Sequence, residues 1–309
     1  NAFDALEQYR LVLDEDDANA HALTAVRGIG DKHEELRLEV SALLEPVLTA
    51  AGNFSELIEV MELRLSAQTD PANRAKTLAA MAMIQEEQLD NEDKASETLL
   101  RALAEAPEDA ALHDDIERLC ELTDDYTNYA DGLEKHAEAI FDAVAQAELY
   151  GRLGRIAETR LGQQQRAITA YKKAAEQAAD ASDLLEALDR LYVATNDHEN
   201  LASVLERRVE LAAGDTAQAE LYYRLAEVQI VHFGKKGTGL GTLRMCVDLN
   251  SEHDKARELL EKLTDDEELF EEVAEALDVM YRVSQDSAAR AKLRNKRISY
   301  APNASERVR

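Results

Sequence analysis

The sequence predicts an all-α fold, an α-solenoid of stacked antiparallel helix hairpins, and three observations lead there. Ala, Leu and Glu dominate, while Gly (12) and Pro (4) are scarce, aromatics make up 5% and Trp is absent. That is helix-former chemistry, poor in the residues strands prefer. A shift of 72 residues superposes Leu57, Tyr129, Leu201 and Val273, and likewise Met61, Leu133, Leu205 and Leu277. A fixed period of this kind marks a stack of equivalent units. Each block holds four apolar stripes at helical spacing, parted by polar breaks such as Ala51-Gly52-Asn53, Thr123-Asp124-Asp125 and Thr195-Asn196-Asp197.

In chain order, the array opens with a helix carrying Ala5, Tyr9 and Leu13, which match Ala167, Tyr171 and Ala175. Phe54 then arrives about 18 residues later than the period demands, so an extra helix is predicted around Ala18 to Leu43. The following hairpins repeat as Val47, Leu119, Leu191 and Leu263, then as Ala75, Ala147, Ala219 and Ala291. Met81, Leu153 and Leu225 form another column, next to Ala82, Gly154 and Ala226. Small residues at fixed positions let helices approach closely, and larger ones fill the gaps. The acidic runs Asp14-Glu15-Asp16-Asp17 and Asp265-Asp266-Glu267-Glu268 are expected where helices begin, favoured by the positive end of the helix dipole. Near the end, Arg294 and Arg297 stand where Tyr222 and Leu225 stood, and the apolar stripe is expected to fail there. The chain is thus expected to be one continuous array over 1–309, in blocks of approximately 1–35, 36–107, 108–179, 180–251 and 252–309.

Half of the period is 36 residues, close to the 34 of a tetratricopeptide unit. Ala95, Leu99, Ala102 and Pro107 follow that unit's second-helix spacing; Tyr150, Leu153 and Gly154, then Ala167, Tyr171 and Ala174, follow both of its helices. The sequence therefore resembles the tetratricopeptide family, and among its members the long, degenerate, acidic bacterial proteins. The resemblance is clear in the second hairpin of each block and faint in the first. It departs in a helix-to-helix turn one residue longer than the norm, and in Gly239 and Ser251 where Ala95 and Pro107 stood. It implies a superhelix whose first helices line a concave surface. Carried over position by position, that lining includes Met83, Glu86 and Glu87, then Glu148, Arg155 and Glu158, then Glu220, Tyr223, Glu227 and Ile230. Mixed to acidic, it lacks the Lys and Asn set with which chaperone-binding members hold a carboxylate.

Several other chemistries were weighed. Gly234-Lys235-Lys236-Gly237-Thr238-Gly239-Leu240-Gly241-Thr242 is Gly-rich with lysines, but its spacing fits neither phosphate loop nor dinucleotide fingerprint, and the period places it on the turn held by Gly162 one block earlier. Seven histidines form no metal-binding i, i+4 pair with a nearby acid. Cys120 shares a column with Leu48 and Tyr192, and Cys246 with Ala102 and Ala174, which marks both as packing residues. No nucleophile stands in an elbow or triad motif, so no catalytic residue, metal or cofactor is expected.

A formal charge of −28 opposes nucleic-acid binding, and no apolar run approaches a membrane span. Two distant cysteines point to a reducing compartment such as the cytoplasm. The chain begins inside an amphipathic pattern and reads as a piece of a longer protein. Its last 22 residues invert the charge, with Arg290, Lys292, Arg294, Lys296, Arg297, Arg307 and Arg309 against Glu306, which offers a route to head-to-tail self-association. The expected role is a non-enzymatic scaffold that binds a basic or amphipathic protein or peptide segment, or a spacer in an assembly. The alternative is a regulatory repeat domain that senses a ligand or short peptide.

Overall fold

The computed structural model describes residues 1–178 and 180–300, and every regular element among them is helical. These residues fall into two compact units, Asn1–Gln177 and a second from Ala178 onward. The first unit holds α1 (Ala2–Glu15), α2 (Ala20–Lys32), a 3-10 turn (Glu34–Leu36), α3 (Arg37–Ala50), α4 (Phe54–Ala67) and α5 (Pro71–Glu87). It continues with α6 (Glu92–Glu105), α7 (Ala110–Thr123), α8 (Thr127–Ala139), α9 (Ala143–Thr159) and α10 (Gln164–Gln177). The second unit holds α11 (Ser182–Thr195), α12 (His198–Leu211), α13 (Asp215–Glu227), a π turn (Val228–His232) and α14 (Lys236–Leu249). After these come α15 (Asp254–Leu263), α16 (Phe270–Val283) and α17 (Ser287–Tyr300). The helix inserted before the regular repeat is α2, and the described residues form seventeen α-helices.

Helix starts follow from side-chain capping. Asp70 accepts from the Asn73 amide with Pro71 in the first turn, and one period later Asp142 accepts from the amides of Val144 and Ala145. Such caps satisfy amide donors that the helix itself leaves free. Helix ends repeat too. Asp90, Gly162 and Gly234 share one column and all have positive φ, and the residues after them donate backbone hydrogen bonds to Gln85, Ala157 and Gln229 at 2.8–2.9 Å. Each ends its helix in a left-handed cap. A second column of polar breaks behaves alike: Gly52, Asp124 and Asn196 are left-handed. Gly234, the most tempting glycine of the phosphate-loop lookalike, is therefore a turn residue.

The helix-pair turns are also tied by side chains in register. Arg74 donates to the carbonyls of Leu65 and Gln68, Gln146 to those of Ala137 and Ile140, and Gln218 to those of Val209 and Ala212. These carbonyls end α4, α8 and α12, where no intrahelical donor is available.

Packing keeps the same period. Ala102, Ala174 and Cys246 are fully buried, as are Leu119 and its neighbour Cys120, and Met81, Leu153 and Leu225 lie within the core. Gly154 takes the column of Ala82 and Ala226 because its neighbour is larger. A Cβ there would lie 2.6 Å from the ring of Tyr171, which fills the column of Leu99 and Leu243. Gly239 replaces Ala95 and Ala167 for a similar reason, since a Cβ would meet Ile230 Cγ1 at 2.4 Å. In the other two blocks that neighbour is Glu86 or Glu158.

One expectation is corrected. Asp14 and Glu15 close α1 and do not open a helix; the cap of α2 is Asn19, which accepts from the Ala22 amide. The run straddles a turn, and its first two carboxylates face the unfavourable end of the helix dipole. At the other end, α17 buries Leu293 while Arg294 and Arg297 are exposed, and the stripe ends as the sequence predicts. Paired helices about 36 residues apart per hairpin, crossing at columns of Ala, Gly and Cys, make the chain a tetratricopeptide-like helical repeat.

Candidate interaction surface

The lining positions carried over from the resemblance fall on α5, α9, α13 and, for Ile230, the π turn after α13, and their surroundings differ. On α5, Met83 is 58% exposed and Glu87 is exposed, while both oxygens of Glu86 accept from the Arg118 guanidinium of α7, at 2.5 and 2.8 Å. That pairing holds the Glu86 carboxyl below the usual carboxylate range. On α9, Glu148 is exposed, Arg155 donates to Glu117 of α7 at 2.8 Å, and Glu158 accepts from the Tyr171 hydroxyl at 3.0 Å. On α13, Glu220 faces His253 and Lys255 of α15. Tyr223 is only 8% exposed, packs in the core of the second unit beside the His253 ring, and donates its hydroxyl to Glu227. Its place is therefore internal, and Ile230 likewise packs half-buried against that core. Among the ten positions, Met83, Glu87 and Glu148 are exposed and have no hydrogen bond or ion pair among those described.

A different set of residues ties the first helices together. Glu45, Glu117, Asp189 and Glu261 occupy one column, on α3, α7, α11 and α15. Glu117 accepts from Arg152 and Arg155 of α9, at 3.0 and 2.8 Å. Asp189 is 3% exposed and takes a two-pronged grip from Arg224 of α13, at 2.6 and 2.5 Å, with a further bond from Arg208 of α12. Arg152 and Arg224 are themselves one period apart, as are Arg64, His136 and Arg208. Bidentate guanidinium–carboxylate pairs fix geometry as well as charge. Glu261 accepts from the Tyr281 hydroxyl at 2.8 Å. Among the described residues Glu45 is held by Arg64 of α4 alone, at 2.9 Å through Oε2. Position 80, the counterpart of Arg152 and Arg224, is Ala.

The other titratable groups pack internally. Burial pushes the Cys120 thiol up to about 11 and that of Cys246 up to about 12, so neither is poised as a thiolate. His113 bridges the turn before α7 to α8: Nε2 meets the Pro107 carbonyl at 2.8 Å and Nδ1 meets the Tyr129 hydroxyl at 2.7 Å. Because a carbonyl only accepts, Nε2 carries the proton, and in the neutral ring Nδ1 accepts from the Tyr129 hydroxyl. Burial lowers its pKa accordingly. Among the described residues no group of three or more His, Cys, Asp or Glu is arranged to hold a metal, and no helix is long and apolar enough to cross a membrane.

In the basic terminal segment, Arg290 binds Asp278, Lys296 binds Asp265 and Arg297 binds Glu271, whereas Lys292 and Arg294 are exposed. Arg307 and Arg309 lie outside the described residues.

No family model and no curated protein matches the chain. Solved structures similar to it include the C-terminal part of a TPR repeat-containing protein from Cytophaga hutchinsonii, at 14% identity and a TM-score of 0.38 over 85% of this chain and 96% of that one. A tetratricopeptide repeat protein from Parabacteroides merdae is 16% identical, covering 86% and 99% of the two chains at a TM-score of 0.31. YrrB, described as a TPR protein with an unusual peptide-binding site, is 19% identical over 58% of this chain and 97% of its own, at 0.30. At these values the likeness concerns helix-pair repeats and carries nothing about activity or partner.

Proposed function

We propose that the chain is a non-enzymatic scaffold whose first helices bind a basic or amphipathic protein or peptide segment. One observation carries the reading: Met83 stands exposed on α5 one helical turn before the acidic side chains of Glu86 and Glu87, on a chain with a surplus of 28 negative charges. An acidic surface steers a basic segment on approach, and exposed apolar residues supply contact area once it arrives. The acids already paired between helices contribute little to this steering; the unpaired surplus does the rest. The test is fluorescence anisotropy with a labelled 12-residue peptide of alternating Lys, Arg and Leu, beside one with Glu in place of the basic residues. The basic peptide should bind, lose affinity as salt rises, and bind several-fold more weakly after Met83→Ser. Equal binding of the acidic peptide, or no binding of the basic one, refutes the reading.

The same 72-residue spacing joins Ala102 and Leu119 of the first unit to Ala174, Leu191, Cys246 and Leu263 without a gap. That continuity supports treating 1–309 as one array, for which cleavage by a nonspecific protease between 177 and 182 should be no faster than at other inter-helix turns. Self-docking through the basic end rests on Lys292 and Arg294, and reversing both to Glu should abolish any salt-sensitive self-association seen in sedimentation. A sensor would need an enclosed pocket. The clefts lined by α1 with α3 and by α3 with α4 and α5 are open to solvent, which favours the scaffold.

A further inference from the structure

We propose that the cleft between α3 and α5 is a binding site for a single arginine side chain of a partner polypeptide, with the carboxylate of Glu45 as its acceptor. The inference deepens the scaffold reading and rests on it, naming one subsite on the same first-helix surface.

Three observations converge on the cleft. The first is an orphaned acceptor: Glu45 Oε1 is buried and accepts no hydrogen bond from any described residue, while Oε2 is held by Arg64. A buried carboxylate oxygen without a donor carries a desolvation cost that a ligand can relieve. The second is the column to which Glu45 belongs. Asp189 is held by the counterpart of Arg64, Arg208, and also by Arg224. Glu117 is held by Arg152, the counterpart of Arg224, with Arg155 beside it. Both acids thus receive a guanidinium from the next first helix, α13 or α9. In the first block that donor position is the exposed Ala80 of α5, and one of the two guanidinium groups found on Asp189 has no equivalent. The third is space: an open cleft of about 690 Å3 is lined by Leu38, Ala42 and Glu45 of α3, by Arg64 and Gln68 at the end of α4, and by Asp70 and Asn73 at the start of α5.

The chemistry selects arginine. A planar guanidinium has five donors, enough to meet Glu45 Oε1 and still reach other acceptors, and twice within this chain that group is what the column takes. A lysine ammonium is a point charge that pays more to leave water. Leu38 and Ala42 offer apolar surface to the arginine methylenes. With Glu45 and Asp70 against Arg64, the lining carries one net negative charge for the incoming cation.

The test uses the full chain, labelled with nitrogen-15, titrated with N-acetyl-arginine methylamide and with its neutral citrulline counterpart. Saturable amide shifts confined to the neighbourhood of Ala42, Gln68 and Asn73, with citrulline roughly tenfold weaker or worse, are expected. Glu45→Gln should abolish them, and so should Ala80→Arg, which restores the internal guanidinium and leaves the fold intact. Glu206→Gln, an equal charge change on the exposed face of α12, should leave them untouched. Shifts scattered over the surface, equal response to citrulline, or survival in both Glu45→Gln and Ala80→Arg overturn the site. The basic 12-residue peptide separates this failure from that of the scaffold reading: binding that persists unchanged in Glu45→Gln removes the subsite and leaves the scaffold, whereas no binding to the wild-type chain removes both.

Discussion

Replacing Asp189 by Ala should open the start of the second unit and leave the first unit unchanged. The carboxylate is almost fully buried and accepts three hydrogen bonds, two from Arg224 and one from Arg208. Its removal leaves Arg224 without its acid and Arg208 with Glu186 alone, and breaking a buried ion pair from one side costs about 3–5 kcal/mol. The arginine side chains are 30% and 18% exposed, so water can reach part of each and the lower end applies. About 3 kcal/mol corresponds to roughly a hundredfold rise in local opening. Asp189→Asn, which keeps the shape and one acceptor, should cost less than half as much. Replacing all three residues together, Asp189→Leu with Arg208→Met and Arg224→Met, should return stability to within about 1 kcal/mol of the parent, since a buried ionic cluster often exchanges for apolar packing at little net cost. Amide hydrogen exchange of the full chain reads this directly, because repeat proteins open locally between neighbouring helices. Protection of α11 to α13 should fall while that of α3 to α6 holds. If Asp189→Ala changes that protection less than tenfold, or no more than Glu45→Ala changes α3 to α5, the account of the column is wrong.

Gly154→Ala should destabilise the chain by about 1–3 kcal/mol in urea titration through its clash with Tyr171, and adding Tyr171→Leu, which recreates the pairing of the neighbouring blocks, should recover most of it. His113 is neutral in the fold with its pKa depressed by burial, so the stability it provides is full above its ordinary value of about 6.5 and drains away as pH falls toward the lower folded value. The melting temperature should accordingly drop between pH 7 and 5.5, and less steeply in His113→Gln. Asp278, held at about 2 chiefly by its hydrogen bond from Arg290 and then from Arg282, stabilises the fold above pH 4 by an amount on the order of 1–2 kcal/mol. The gap between wild type and Asp278→Asn in urea should close as pH falls from 4 to 2. Cys120 and Cys246, buried with raised pKa values, should resist a thiol-reactive disulfide at pH 8 until the chain unfolds.

The repeat itself was legible because the columns that define it are local or apolar. Turn residues such as Gly52, Asp124 and Asn196 must adopt left-handed backbone, and residues such as Ala102 and Ala174 must be small, so both constraints are written in residue type. The acid column was less visible for a physical reason. Glu45, Glu117 and Asp189 look like any surface acid, and their partners sit 19 to 38 residues away on other helices, so no spacing along one helix reveals them. The signal that marks it is the 72-residue register, in which these acids recur as the apolar residues do. Position in the repeat does not fix the exposure of Tyr223, because its column neighbours are Gly151 and Ala79, and a large ring cannot occupy the same environment as a hydrogen or a methyl. Nor does any residue type announce the π turn at Val228–His232, where the Phe233 amide reaches the Val228 carbonyl. It coincides with the one block in which Ile230 and Gly239 replace an acid and an alanine.

The acidity of the chain and its fold are linked through how the charges are shared. Self-repulsion from a net −28 would oppose compaction if the carboxylates were evenly spread. Here several of the arginines bridge helices two apart in the chain: Arg101 to Glu62, Arg118 to Glu86, Arg152 to Glu117, Arg166 to Asp131 and Glu134, and Arg224 to Asp189. These basic side chains are thereby committed to neighbouring repeats, and the surplus left on the surface is acidic. Salt distinguishes the two populations. Exposed carboxylates lose their reach within about 8 Å at physiological ionic strength, while pairs as enclosed as Asp189 with Arg224 are screened far less. Raising salt should therefore weaken capture of a basic segment well before it loosens the helices, and a partner released at the same ionic strength that unfolds the chain would place both functions in a single set of charges.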